Sequence, residues 1–143
     1  MTIARVIANR GSGEIFTCDG SATVREAIAL LAQWRIGALP VEEAGTVVGI
    51  FSERDVIHGL AASGPEALDR QVRDVMTAPA ITVSPDSEVM AALGLMTRRR
   101  IRHLPVTENG RTVGFVSIGD LVKYRIDRIE SEAEAMRSYI QTA

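Results

Sequence analysis

Residues 36–55 read IGALPVEEAGTVVGIFSERD, and residues 101–120 read IRHLPVTENGRTVGFVSIGD. The second stretch repeats the first with an offset of 65 residues. Comparing 24–60 with 89–125, without gaps, gives fourteen identities in 37 positions. They include Val24, Arg35, Ile36, Leu39, Pro40, Val41, Gly49, Ser52 and Asp55, each with its partner 65 residues on. Chance gives about two or three, because a common residue makes up roughly 5–9% of a chain. The chain therefore contains an internal duplication. Two copies are too few for a solenoid; they predict two half-domains sharing a core across a pseudo-dyad.

The same plan extends outward from each quoted stretch. Strands are expected at Glu14–Cys18 and Ala80–Val83, followed by a helix capped at Ser21 or Asp86. The helices carry apolar stripes, Val24, Ala27, Ile28 and Leu31 in one copy and Val89, Ala92, Leu93 and Met96 in the other. That i, i+3, i+4, i+7 spacing makes one buried face. Short strands follow at Ala38–Val41 and His103–Val106, then turns at Gly45 and Gly110, then strands at Thr46–Phe51 and Thr112–Val116. Ser52 and Ser117 open a second helix. The expected class is α/β (α+β), each copy running β-α-β-β-α.

Around the copies, the first dozen residues predict a short helix ending near Gly11. Ser63-Gly64-Pro65 breaks the chain between copies, and Val72–Met76 adds a helical turn. The expected divisions are 1–13, a first motif 14–62, a linker 63–71, a second motif 72–126 and a helical extension 127–143. In that extension and the turns leading to it, Val122, Ile126, Ile129, Ala133, Met136 and Ile140 are spaced 4, 3, 4, 3, 4, a heptad-type seam. Either this helix lies on its own domain or it packs on a second subunit.

Composition bounds the function. A chain of 143 residues that is 46% hydrophobic and 24% charged suits one soluble globular domain. Sixteen basic against eighteen acidic residues exclude a general electrostatic trap for nucleic acid. The aromatic content of 4% offers no base-stacking platform. A single cysteine, Cys18, excludes an intramolecular disulfide framework and fits a reducing compartment. The N-terminus has no apolar segment of signal-peptide length, and no apolar run reaches the ~18 residues of a membrane span; a cytoplasmic location without membrane contact is expected. Catalytic chemistry is not indicated. No phosphate-binding P-loop occurs, Gly11-Ser12-Gly13 precedes a strand rather than following one, and two histidines with one cysteine give no zinc-ligand spacing. Cys18 reads as a plain strand residue, and Trp34 as a packing or interface residue.

The order strand–helix–strand–strand–helix, with an Ile-x-x-Leu-Pro-Val stretch and a later Val-Gly-x-x-Ser-x-x-Asp stretch in both copies, resembles the CBS domain pair, or Bateman module. The resemblance covers about Ile15–Arg125 and is similar to the stand-alone bacterial CBS-pair proteins. Some of these are labelled after IMP dehydrogenase, an activity excluded here because its barrel alone needs roughly 250 residues. The resemblance implies two motifs packed through their sheets with pseudo-two-fold symmetry and two related clefts. It implies a non-enzymatic regulatory module, homodimeric, binding an adenosine-bearing ligand: AMP, ADP, ATP, S-adenosylmethionine or NAD. No catalytic cofactor and no metal is expected. A regulated protein partner is possible; a ligand-free dimerisation scaffold or adaptor is the alternative.

It also implies residue roles. Asp55 and Asp120 would accept hydrogen bonds from ribose hydroxyls, with Ser52 and Ser117 and the helix amides facing sugar or phosphate. The same Ser-x-x-Asp pattern is equally a helix capping box, and both roles can hold together. Arg102 and His103 would reach phosphates, where a planar guanidinium can hold two oxygens. The alternative for them is a solvated cationic surface with Arg98–Arg100. Gly37 and Ala38 replace that pair in the first copy, and Arg54 stands where the second copy has Gly119, so the clefts are expected to be unequal. A two-phosphate linker such as that of NAD could cross the centre. Thr17, Ile81-Thr82, Ile36-Gly37 and Ile101 would border adenine, with Ile50 and Phe115 as walls; all of these are also ordinary core formers.

Overall fold

The hairpins follow from their turn residues. In the computed structural model, which describes residues 1–9 and 15–142, β2 (Ala38–Glu43) pairs antiparallel with β3 (Thr46–Ser52), Glu43 opposite Thr46. Only Ala44 and Gly45 remain for the turn, at φ 53° and 78°. Two positive φ values make the type I′ turn, whose twist matches that of the strands. The second copy repeats this with β4 (His103–Glu108), β5 (Arg111–Ser117), Asn109 at φ 53° and Gly110 at φ 80°. Both ladders slip at the same place, between Val41 and Glu42 and between Val106 and Thr107.

The leading strands are shorter than expected. β1 is only Cys18–Asp19, parallel to β2; Ile15–Thr17 are irregular and Glu14 lies outside the described residues. In the second copy Val83 alone makes a bridge, to Val106. Its amide donates to the Pro105 carbonyl (3.0 Å) and its carbonyl accepts from Thr107 (2.9 Å). Pro79 and Pro85, on either side, have no N–H for a ladder.

The helices α2 (Val24–Trp34) and α5 (Val89–Arg99) bury Val24, Ala27 and Leu31, and Val89, Ala92 and Met96. Their caps differ from expectation. Ser21 does not cap α2; its amide and hydroxyl both donate to Asp19 Oδ1 (2.8 and 2.7 Å). Thr23 is the cap, its Oγ1 accepting from the Glu26 amide at 3.1 Å. In the second copy the capping position is Glu88, not Asp86, and it makes no side-chain cap bond. Both helices end on a left-handed arginine, Arg35 (φ 51°) and Arg100 (φ 55°), whose amides close the last turn on Leu31 and Met96.

The second helices are α3 (Glu53–Ser63) and α6 (Ile118–Thr142). Between the copies lie a 3-10 turn, Gly64–Asp69, and α4 (Val72–Val75). The first helix, α1, is Ile3–Asn9; its expected end near Gly11 lies outside the described residues. The two short helices are exchanged between the halves. Val72 is buried in the first core with Val24, Leu39, Val41 and Phe51. Ile3 and Val6 are buried in the second, with Val89, Met96, Leu104, Val106 and Leu121. Equivalent bonds dock them: Val72 N–H to Ala22 O and Arg73 N–H to Gly20 O on one side, Ile3 N–H to Ser87 O and Ala4 N–H to Pro85 O on the other. An ion pair, Arg73 with Glu43 at 2.8 Å, adds to the first.

The two sheets meet through β3 and β5. Gly49 and Gly114, equivalent in the repeat, let the short helical segments lie against these strands. A methyl at Gly49 would sit 2.6 Å from Met76 Sδ, and one at Gly114 2.7 Å from Ile7 Cδ1.

Of the two placements open to the C-terminal helix, packing along its own domain fails beyond its first turns. Leu121 is buried and Tyr124 packs on the second core. Val122, Ile126, Ile129, Met136 and Ile140 stand exposed.

Candidate functional site: a cationic cleft between the halves

The end of β3, the start of α3 and the loop from α5 to β4 enclose one cavity of about 570 Å³. From the first half come Gly37, Ile50, Ser52, Glu53, Arg54 and Ile57; from the link, Thr77; from the second half, Arg99, Arg100, Ile101, Arg102 and His103. The volume is that of a small-molecule site, and its mix of apolar wall and a few charged groups is typical of one.

Local structure puts those side chains there. The left-handed Arg100 turns the chain out of α5, so that Ile101, Arg102 and the first residue of β4, His103, line the cavity. A left-handed non-glycine costs free energy and persists where the surroundings fix it. Thr77 reaches the site because its backbone pairs in both directions with Ile50 (2.9 Å each). Ser52 closes β3 and caps α3.

Each Ser-x-x-Asp forms a capping box. Asp55 Oδ2 accepts from the Ser52 amide (2.8 Å) and hydroxyl (3.2 Å), and its Oδ1 accepts from Thr77 Oγ1 (3.1 Å). In the second half Asp120 Oδ2 accepts from the Ser117 amide (2.8 Å), while the Asp120 amide donates to Ser117 Oγ (3.1 Å). The carbonyls before the LPV strands also match: Gly37 O accepts from the Glu53 amide and Arg102 O from Ile118.

Electrostatically the cavity is mixed. Four arginines, Arg54, Arg99, Arg100 and Arg102, line it together with one acidic residue, Glu53. His103 stands where the influences of the two halves meet. Its ring stacks on Phe115, centroids 5.5 Å apart. Burial holds its pKa below the usual imidazole value; Asp120 and Glu53 pull it upward, and Arg102 pushes it further down. The helix N-terminus and the arginines suit a phosphate or another anion. The apolar side, Ile50, Ile57 and Ile101, suits a planar or hydrocarbon group.

Of the residues singled out in the sequence, Gly37, Ser52, Arg54, Ile101, Arg102 and His103 are brought together here, with Asp55 one hydrogen bond behind Thr77. Ser117, Gly119 and Asp120 occupy the equivalent corner of the second half and do not line this cavity. Nor do Thr17, Ile36, Ile81 and Thr82. Ile36 packs on the first core and Ile81 on the second, Thr17 is half-buried ahead of β1, and Thr82 is exposed. Sequence reasoning missed Glu53, Ile57 and Thr77. Glu53 was legible as the residue following the capping serine; Thr77 carried no local signal, because only the Ile50 pairing brings it in.

Other chemistry-bearing residues take packing roles. Cys18 is buried in the first core, and burial, then the Asp19 charge, pushes its thiol up to about 11, so it stays protonated near neutral pH. Trp34 stacks on Phe16 at 4.1 Å. Among the described residues no cluster could hold a metal ion, and no helix is long and apolar enough to cross a membrane.

The CBS domain family profile matches this chain twice, at residues 7–62 and 72–127. A mitochondrial CBS domain-containing protein of Arabidopsis thaliana, CBSX3, is 34% identical over 98% of this chain and 72% of its own length. The CBS-domain containing protein ATU1752 of Agrobacterium tumefaciens has a similar structure, with a TM-score of 0.82, 35% identity, and coverage of 87% of this chain and 99% of its own. The CBS domain pair of protein MJ0100, solved with 5′-methylthioadenosine and S-adenosyl-L-methionine, superposes with a TM-score of 0.75 at 25% identity over 87% of this chain and 98% of its own.

Proposed function

The chain belongs to the CBS domain family as a tandem pair, and from that premise we propose that it is a non-enzymatic regulatory module whose clefts bind an adenosine-bearing ligand. The observation that carries the reading is the shared cavity. It joins the capping end of the first half, Ser52 and Arg54 with Asp55 behind, to Arg102 and His103 of the second. The adenosine ligands of MJ0100 support the ligand class.

In this reading the Asp55 carboxylate exchanges its bond from Thr77 for ribose hydroxyls, while the apolar walls take adenine. Arg54, Arg102 and His103 take the phosphates of AMP, ADP, ATP or NAD. Ser117, Gly119 and Asp120 do the equivalent work in a second, less cationic cleft. The module acts as a homodimer, and ligand shifts the balance between two arrangements of the halves. A shift of that kind requires tighter binding to one arrangement than to the other. The exposed seam of α6 supports the homodimer.

A thermal-shift panel of AMP, ADP, ATP, NAD and S-adenosylmethionine tests the ligand class. A ligand at about 100 Kd stabilises by about 2.7 kcal/mol per site; Asp55→Ala abolishes the share of the first cleft and Asp120→Ala that of the second. The unliganded Asp55→Ala variant loses the cap and the bond from Thr77, about 1–3 kcal/mol together. No shift with any of the five overturns the reading in favour of a ligand-free scaffold.

A further inference from the structure

We propose that α6 forms a parallel two-stranded coiled coil with α6 of a second copy of this chain. The inference rests on the homodimer reading and adds which helices pair, in which direction, and by which charges.

From Glu130 onward every described residue of α6 is exposed except the half-buried Ala133. Met136 is 62% and Ile140 66% exposed. A helix of this length standing clear of its domain is marginal in water, and an apolar seam along a polar helix calls for a partner. With Val122, Ile129 and Met136 at d positions, Ile126, Ala133 and Ile140 fall at a. Over roughly 1.5 Å per residue, that seam is long enough for nearly three heptads.

The flanking charges identify the occupant as a second copy and set the direction. Arg125 and Glu132 fall at g, Glu130 and Arg137 at e. In a parallel pair each g residue faces the e position of the following heptad on the other helix. Arg125 then faces Glu130, and Glu132 faces Arg137. Both pairs are of opposite sign, and the dyad doubles them. Within one chain Glu132 already lies 3.7 Å from Arg128, so Arg125 with Glu130 is the cleaner pair to test.

Sedimentation equilibrium of the full chain, with Met136→Cys under mild oxidation, tests the geometry. Cys18 is buried and gives no competing cross-link. The expected results are a dimer that Ile129→Glu weakens by about tenfold or more, and a disulfide that joins the two Met136→Cys copies at that position. Glu130→Arg weakens the dimer and Arg125→Glu with Glu130→Arg restores it. Ile129, Glu130 and Met136 are exposed on the single chain, so melting of the monomer stays unchanged in their single variants; Arg125 is half-buried, so the double variant is compared with the melting of Arg125→Glu alone. A dimer indifferent to Ile129→Glu, or one that shows no cross-link at position 136, overturns the coil while leaving the homodimer standing. A monomer throughout the micromolar range overturns both.

Discussion

The two halves share a skeleton and differ at its working corner. Both have the left-handed arginine, the LPV strand, the type I′ turn, the slipped ladder and the Ser-x-x-Asp cap. They part where the strand begins, the first half having Gly37 and Ala38 and the second Arg102 and His103, and again inside the cap, where Arg54 is the equivalent of Gly119. They part also in their last helix: α3 stops at Ser63, whereas α6 runs to Thr142. The retained residues set backbone geometry. The changed ones sit on or beside the cavity, where they alter charge without disturbing the hairpins.

Converting the second half toward the first should break the comparison most strongly. Arg102→Gly with His103→Ala is expected to weaken a phosphorylated adenosine ligand by about 100-fold, since bonds to charged groups contribute about 1.5–3 kcal/mol each. Adenosine itself should change by no more than about threefold. Calorimetric titration measures both; equal weakening of the two would detach the asymmetry from phosphate binding.

The equivalent glycines should also part company. A methyl at Gly49 meets the Thr77 carbonyl at 2.9 Å as well as Met76 Sδ, and backbone cannot swing away. At Gly114 the close neighbour is the end of the Ile7 side chain, which can rotate. Gly49→Ala is expected to lose about 1–3 kcal/mol of unfolding free energy, as overpacking does, and Gly114→Ala less. Denaturant titration gives both, and equal losses would show that the linker contact is as yielding as the N-terminal one.

The smallest expected effect is in pH. Because burial lowers the His103 pKa in the folded chain, the unfolded chain binds the proton first as pH falls. Stability from this group is present above about pH 6.5, the ordinary imidazole value, and declines as pH drops through it toward the folded value. His103→Gln should flatten that part of a stability–pH profile, whereas His58→Gln, outside the cleft, should leave it in place.

The repeat made most of the fold readable. Periodicity located α2 and α5, and the Gly-bearing turns located both hairpins, because those elements are decided by local sequence. The leading strand of the second copy is shorter than its pattern suggests: Ile81 and Val83 are apolar enough for a strand, yet their flanking prolines and the Ser84–Ser87 turn leave one bridge. The α2 cap is Thr23 rather than Ser21, since Thr23-Val-Arg-Glu26 is itself a capping-box pattern and Ser21 is drawn off by Asp19. In the site, the LPV-adjacent pair and the first cap were legible because they sit at fixed offsets from the repeat. Thr77 was not, since it joins by pairing with a strand far away in sequence.

The exchanged short helices set a timetable for folding. Ile3 and Val6 emerge ahead of both halves in synthesis, yet their burial sites are built from Val89, Met96, Leu104 and Leu121. At roughly 5–20 residues per second, α1 waits for seconds with no core to join. The first half, by contrast, can fill its core once α4 appears, since Val72 supplies the missing wall. The N-terminal helix therefore closes a contact spanning most of the chain, the kind of long-range closure that slows folding, and it latches the second half only after nearly all of that half has been made.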